Sequence, residues 1–293
     1  MHVVITGASS GIGRALALEY GRAGAALTLV ARREELLREL ETEVGRPCHV
    51  VVQDLSKLDQ IGGFLDGAIA KNGAIDVFVN NAGVMDLGPT HEVSAEIGQR
   101  MLDVCLSAPL RLTRAVLPAM LARRSGTIVQ VASVAAFVPP PGGTWYGAAK
   151  AGLSAFSETL RVELKGTGVN VLSVYPGPVK TPLADGARAT YSESAVIDSM
   201  PEGTPEVLAQ QVLRSVDKRS ARLVYPKAYA ATRWFPSFFR WMTALATPGF
   251  REQASLHAPV QPASLPPVRK TLDQRPHHRP QAERTAERVG VAP

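Results

Sequence analysis

The sequence predicts an α/β fold, a doubly wound parallel sheet with helices on both faces. The apolar run His2-Val3-Val4-Ile5-Thr6 leads directly into Gly7-Ala8-Ser9-Ser10-Gly11-Ile12-Gly13, after which Ile12, Leu16, Tyr20 and Ala23 recur at helical spacing. Further short apolar runs alternate with helical stretches along the chain, the rhythm of strand, crossover helix and parallel strand. The 293 residues, 45% apolar and 20% charged, suffice to bury one large core.

The first unit is strand, glycine turn and helix. Gly7, Gly11 and Gly13 permit a tight turn and close backbone approach, and the helix start offers N–H groups to a pyrophosphate. The spacing is Gly-x3-Gly-x-Gly rather than the usual dinucleotide fingerprint, but the physics is shared. Ala26–Ala31 is the second strand and ends in Arg32-Arg33, where a doubly wound sheet places an adenosine ribose. An acid there would hold a 2′-hydroxyl, whereas a guanidinium suits a 2′-phosphate, so the pair points to NADP(H). Glu34–Val44 is a polar helix stopped by Gly45 and Pro47. Residues 49–53 form a third strand with Asp54 at its end, able to accept from an adenine amino group. Ser56 is placed to cap a helix running to Asn72. Residues 75–79 form a fourth strand, followed by Asn80-Asn81-Ala82-Gly83, whose amides can tie loops together while Gly83 lets backbone approach a cofactor. A long helical stretch over 94–121 precedes a fifth strand at 127–132. A sixth strand, 170–174, leads into the stiff turn Tyr175-Pro176-Gly177-Pro178-Val179-Lys180-Thr181.

Composition excludes several functions. Of the net charge of +6, half sits in residues 251–293, so nucleic-acid binding by the folded part is not expected. Cys48 and Cys105 form no motif and suit a reducing compartment. His277-His278 is a chance pair, and no metal is expected. The first strand begins at His2, leaving no room for a signal peptide, and no run reaches the 18 or so apolar residues of a membrane span. The expected location is the cytoplasm.

The chemistry centres on Ser133, Tyr146 and Lys150. Tyr146-Gly147-Ala148-Ala149-Lys150 places a phenol and an ammonium one helical turn apart on one face. An ammonium favours phenolate and lowers the phenol's pKa, which suits a proton donor to a carbonyl or an acceptor from an alcohol. Ser133, at the C-terminal end of the fifth strand, can hydrogen-bond the same substrate oxygen.

Together these residues resemble the short-chain dehydrogenase/reductase family over about residues 2–250. Thr6 to Gly13 is similar to its cofactor loop, residues 80–83 to its Asn-Asn-Ala-Gly motif, and Ser133, Tyr146 and Lys150 to its catalytic set. The resemblance implies a Rossmann-type sheet of seven strands, with Arg222–Tyr225 last. It implies a cofactor loop of Gly7, Ser9, Ser10, Gly11, Ile12 and Gly13, with Ser9 and Arg32 on the 2′-phosphate and Asp54 and Leu55 at the adenine. Asn80, Ala82 and Gly83 would border the cofactor, Pro176-Gly177 would underlie the nicotinamide, and Val179 and Thr181 would hold its carboxamide. Lys150 would bind the ribose while Tyr146 exchanges the proton. The activity implied is NADP(H)-dependent interconversion of a carbonyl and an alcohol. One departure is Cys105, which stands where the family usually has an asparagine whose backbone carbonyl holds a relay water and whose amide braces the site. A dinucleotide-binding regulatory protein with little turnover is therefore one alternative, and an acyl-thioester ketoreductase another.

The substrate end is read as apolar from residues 134–141, which carry no charge. The family resemblance implies a mobile cover over residues 183–201. Seven of the 17 aromatics crowd into 225–241, as core, subunit contact, pocket cover or, through 229–246, a peripheral membrane contact. A homo-oligomer is expected. Residues 251–293, with seven prolines and no aromatics, read as a disordered tail behind a single domain of residues 1–250.

Overall fold

The computed structural model describes residues 1–189 and 201–246. The expected tail lies outside the described residues, as does the greater part of the expected cover. Seven strands form one sheet: β1 (His2–Thr6), β2 (Ala26–Ala31), β3 (His49–Val52), β4 (Val77–Asn80), β5 (Gly126–Val131), β6 (Val169–Pro176) and β7 (Arg222–Tyr225). Their order is β3-β2-β1-β4-β5-β6-β7, and every pairing is parallel. The predicted fold class holds.

Strand alternation divides the core in two. Val3 and Ile5 point to one face and meet Leu16 and Tyr20 of α1 (Gly11–Arg22), Leu37 of α2 (Glu34–Val44) and Leu208 of a helix over Pro205–Asp217. Val4 and Phe78 point to the other, against Leu65 of α3 (Phe64–Asn72) and the helices that follow β4. These are α5 (Ala108–Ala122) and α6 (Thr144–Glu163), while α4 (Ala95–Leu102) packs its Met101 with Cys105 and Tyr146 instead. Each fully buried leucine-sized side chain contributes on the order of 1.5–3 kcal/mol, so neither face is expendable. The stretch Ala95–Ala122 is long and apolar enough to cross a membrane, but Leu112, Val116 and Met120 pack into the sheet core.

Two elements differ from their expected form. The helix after β3 begins at Phe64 instead of near Ser56. Asp54 accepts the Ser56 amide at 3.0 Å and its hydroxyl at 2.8 Å, closing a local turn, and Gly62 at φ 95° delays the helix further. The long helix does start at Ser94, whose side chain accepts from Ile97 N, but it widens into a π turn over Asp103–Ser107 before α5. Such wide turns often mark functional positions, and this one carries Cys105. The remaining helices are α7 (Pro182–Ala189), α8 (Pro205–Asp217), α9 (Ala230–Trp234) and α10 (Pro236–Ala246).

Candidate active site

The strand order reverses between β1 and β4, and the crevice at their C-terminal ends is where an open α/β sheet binds ligands. Thr6 and Asn81 lock the two strand ends. Thr6 Oγ1 donates to Val79 O and accepts from the amides of Asn81 and Ala82, while Asn81 Nδ2 donates to the carbonyls of Thr6 and Gly7. A continuous cleft of about 870 Å³ opens there.

The glycine turn fits a pyrophosphate. Gly7 and Gly11 sit at φ 67° and 55°, and a Cβ on Gly7 would stand 2.7 Å from Ala82 Cα. Ser10 at the N-cap of α1 makes no side-chain cap bond, and no acidic residue occupies the first turn, so the helix start can receive an anion. At the far end of this turn Arg33 Nη2 donates to the hydroxyls of Ser9 and Ser10, at 3.0 Å each. Arg32 lines the same cleft, beside Asp54. Burial opposes ionisation of Asp54, but the Ser56 hydrogen bonds, with Arg32 and Lys57, hold its carboxyl below the ordinary range. A guanidinium held by two hydroxyls, with a second arginine along the same cleft beside Asp54, is a donor set that fits the 2′-phosphate of NADP(H).

Deeper in the cleft, the N-terminal turns of α6 bring Tyr146 and Lys150 beside Ser133, and all three are buried. Ser133 Oγ accepts from Ala135 N at 3.1 Å, donates to Pro176 O at 3.3 Å and lies beside the Tyr146 phenol. Lys150 Nζ donates to Val131 O at 2.8 Å and lies 5.7 Å from the Tyr146 ring centroid. The phenol's pKa does not fall as the sequence suggested. Burial pushes it well above its ordinary value, Cys105 adds to the rise, and the Ser133 hydrogen bond offsets part of it. Burial lowers the Lys150 ammonium in turn, against a smaller pull from Cys105. Desolvation outweighs the ammonium because both groups are buried together.

Cys105 does more than the sequence suggested. Its thiol donates to Val84 O at 3.2 Å and accepts from Val84 N at 3.4 Å, holding the loop beyond Gly83. The bracing expected to vanish with the asparagine amide is carried by sulfur. The apolar wall adds Val84, Met85 and Leu87 to the expected Val134, Val138 and Pro140, with Phe239 and Met242 closing the far side.

Most of the predicted residues line this cleft: Gly7, Ser9, Ser10, Gly11, Ile12, Arg32, Asp54, Leu55, Ala82, Gly83, Ser133, Tyr146, Lys150, Pro176, Gly177, Val179 and Thr181. Gly13 and Asn80 do not. A Cβ on Gly13 would stand 2.2 Å from Gly7 O, so that glycine packs the helix against the turn from behind. Asn80 is buried facing α5, with Nδ2 donating to Thr113 Oγ1 at 3.1 Å. Its neighbour Asn81 takes the cleft-side position. Of the residues that sequence reasoning missed, Arg33 was signalled by the arginine pair. Tyr229, which packs under Gly177, and Phe239 carried no signal beyond aromatic crowding.

The comparisons agree with this geometry. A family model described as short chain dehydrogenase matches residues 1–192. A short chain dehydrogenase of Pseudocercospora fijiensis is 38% identical over 67% of the chain, which spans 66% of that relative's length. 11-beta-hydroxysteroid dehydrogenase A of Sesamum indicum is 34% identical over 86% of the chain and 77% of its own. Among solved structures, the closed form of serine dehydrogenase complexed with NADP+ superposes with a TM-score of 0.69, at 31% identity, over 76% of this chain and 94% of that one. The chain therefore belongs to the short-chain dehydrogenase/reductase family. It is an oxidoreductase that acts on CH–OH groups with a nicotinamide dinucleotide.

Proposed function

We propose that the protein is an NADP(H)-dependent carbonyl reductase or alcohol dehydrogenase for an apolar substrate, with Tyr146 as the proton donor or acceptor. The observation that carries this reading is the burial of Ser133, Tyr146 and Lys150 together under an uncharged wall, in the cleft whose other end holds Arg32 and Arg33. The bound cofactor supplies or accepts the hydride at the carbinol carbon. Ser133 Oγ and Tyr146 Oη hold the substrate oxygen between them. Tyr146 gives its phenolic proton to that oxygen as negative charge develops on it, or takes the proton back from an alcohol. Lys150, anchored on Val131, keeps positive charge beside the phenol and so limits the cost of forming phenolate. Burial holds the phenol in its protonated form at neutral pH, the form that donates to a carbonyl oxygen. The reading without turnover loses its motive once Cys105 is seen to brace Val84.

A screen of ketones, aldehydes and acyl thioesters with NADPH and NADH, followed at the reduced-nicotinamide absorbance, tests this reading. Turnover of uncharged apolar ketones with NADPH is the expected result. Tight NADPH binding without turnover on any compound would overturn it, and turnover confined to acyl thioesters would move the substrate to that class.

A further inference from the structure

Helix α10 exposes large apolar side chains that the sheet core does not claim. Phe238, Trp241 and Leu245 are 53%, 59% and 62% exposed and share one face of the helix, and Trp234 and Phe235 just before it are 71% and 64% exposed. The rings of Phe238 and Trp241 lie 6.1 Å apart. The adjoining stripe of the same helix, with Phe239, Met242 and Thr243, lines the cleft, so the exposed patch forms the rim of the cleft mouth. Soluble monomers rarely expose so many contiguous aromatics without a partner.

Charge indicates the partner. From Pro226 to Phe250 the chain has no Asp or Glu, while Lys227, Arg233 and Arg240 are basic. Arg233 stacks 5.1 Å from the Trp234 ring and lies 4.0 Å from Glu158 of α6, which leaves Lys227 as the exposed cation beside the patch. Arg240 Nε donates to Phe137 O at 2.8 Å, which ties α10 to the substrate wall. A second copy seated on this patch would set like charges against each other with no acid in either segment. The tail over 251–293 has a basic excess and no aromatics, so it complements the patch no better. Aromatic rings flanked by cations instead match the interface of an anionic bilayer.

We propose that α10 and the Trp234-Phe235 turn seat the protein on an anionic phospholipid surface, with the cleft mouth facing the lipid. On the function proposed above, an apolar carbonyl compound dissolved in the bilayer enters the cleft across this rim. The test is co-sedimentation of the full chain with vesicles of phosphatidylcholine alone and with about a quarter phosphatidylserine added. Partitioning at least about tenfold stronger onto the anionic vesicles is expected. The combined variant Trp234→Ser, Phe238→Ser, Trp241→Ser should lose that binding while keeping its melting temperature. A separate single variant, Lys227→Glu, should weaken binding severalfold without disturbing any apolar contact. Binding is read without turnover, so failure here leaves the redox reading intact. No sedimentation, equal binding to both vesicles, or unchanged binding by the combined variant would overturn the proposal. A dimer that the combined variant abolishes, with no vesicle binding, would assign the patch to a second copy and overturn it likewise.

Discussion

Arg32 and Arg33 leave β2 side by side and line one end of the cleft. Arg33 is held by the Ser9 and Ser10 hydroxyls, and Arg32 lies beside Asp54. A charge-assisted hydrogen bond to a phosphate contributes on the order of 1.5–3 kcal/mol, so each should favour NADP(H) over NAD(H) by about tenfold or more. Dissociation constants for both cofactors should show Arg32→Ala and Arg33→Ala each losing about tenfold of this preference. Equal constants in the unmodified protein would refute the assignment. The arginine pair was legible in sequence because a guanidinium at that strand end has a definite chemical meaning. Which of the two reaches the glycine turn was not legible, since it depends on side-chain path rather than on spacing. The same limit applies to Asn80 and Asn81, where one strand position decides which amide meets the cleft. At Cys105 the thiol already bonds both backbone groups of Val84, so Cys105→Asn should raise turnover by less than about tenfold, whereas Cys105→Ala should lower it by about 3- to 10-fold through loss of hydrogen bonds of ordinary strength. A thousandfold gain in Cys105→Asn would show an enzyme crippled by the cysteine. For Tyr146 the sign of the pKa shift fixes a pH profile. With the phenol raised above its ordinary value, the donor form is lost only at strongly alkaline pH, so carbonyl reduction should stay level from about pH 7 to 9. A falling limb in that range in the unmodified protein and in Lys150→Arg alike would show that burial does not govern the phenol, whereas a limb that Lys150→Arg removes would belong to the Lys150 ammonium, which burial lowers.

Between elements, Glu158 of α6 joins three segments that share no local pattern along the chain. It pairs with Arg222 of β7 and Arg161 of its own helix, accepts from the Tyr175 hydroxyl of β6 at 3.3 Å, and lies 4.0 Å from Arg233 of α9. Burial opposes its ionisation, but Arg222 and Arg161 prevail and hold the carboxyl down at about 2, from an ordinary 4.5. A carboxyl depressed on folding stabilises the native state above its unfolded pKa, and that contribution fades as pH falls from 4.5 towards 2. Thermal melts should therefore show Glu158→Gln lowering the melting temperature by several degrees at pH 7 and by less than about half as much near pH 3. An equal deficit at both pH values would contradict the pairing. This cluster was illegible because its members come from distant parts of the chain with no local pattern. The delayed start of α3 was missed for a more local reason, since Asp54 captures Ser56 before it can cap a helix. Strand positions were easier to read, because a buried parallel strand is a short apolar run whatever surrounds it.

For the whole molecule, the parallel sheet and the cleft at its switch point followed from alternation and the glycine turn, and the seventh strand from the family resemblance, while the rim built by α9 and α10 required the fold itself. Composition also bears on the chain's extent. Residues 251–293 hold no aromatics and seven prolines, so stopping after Phe250 should leave melting temperature and NADPH turnover unchanged. Stopping after Pro226 removes Tyr229 from beneath Gly177 and should cause aggregation or loss of substrate binding. Equal behaviour of the two truncations would show that the aromatic segment supports neither core nor pocket. Turnover and NADPH affinity of Tyr146→Phe, measured on one preparation, test the central chemistry most directly. Loss of the proton donor should lower turnover by about 10²–10⁴-fold while the NADPH dissociation constant moves little, because the phenolic hydroxyl serves the substrate oxygen. Turnover equal to that of the unmodified protein would contradict the scheme.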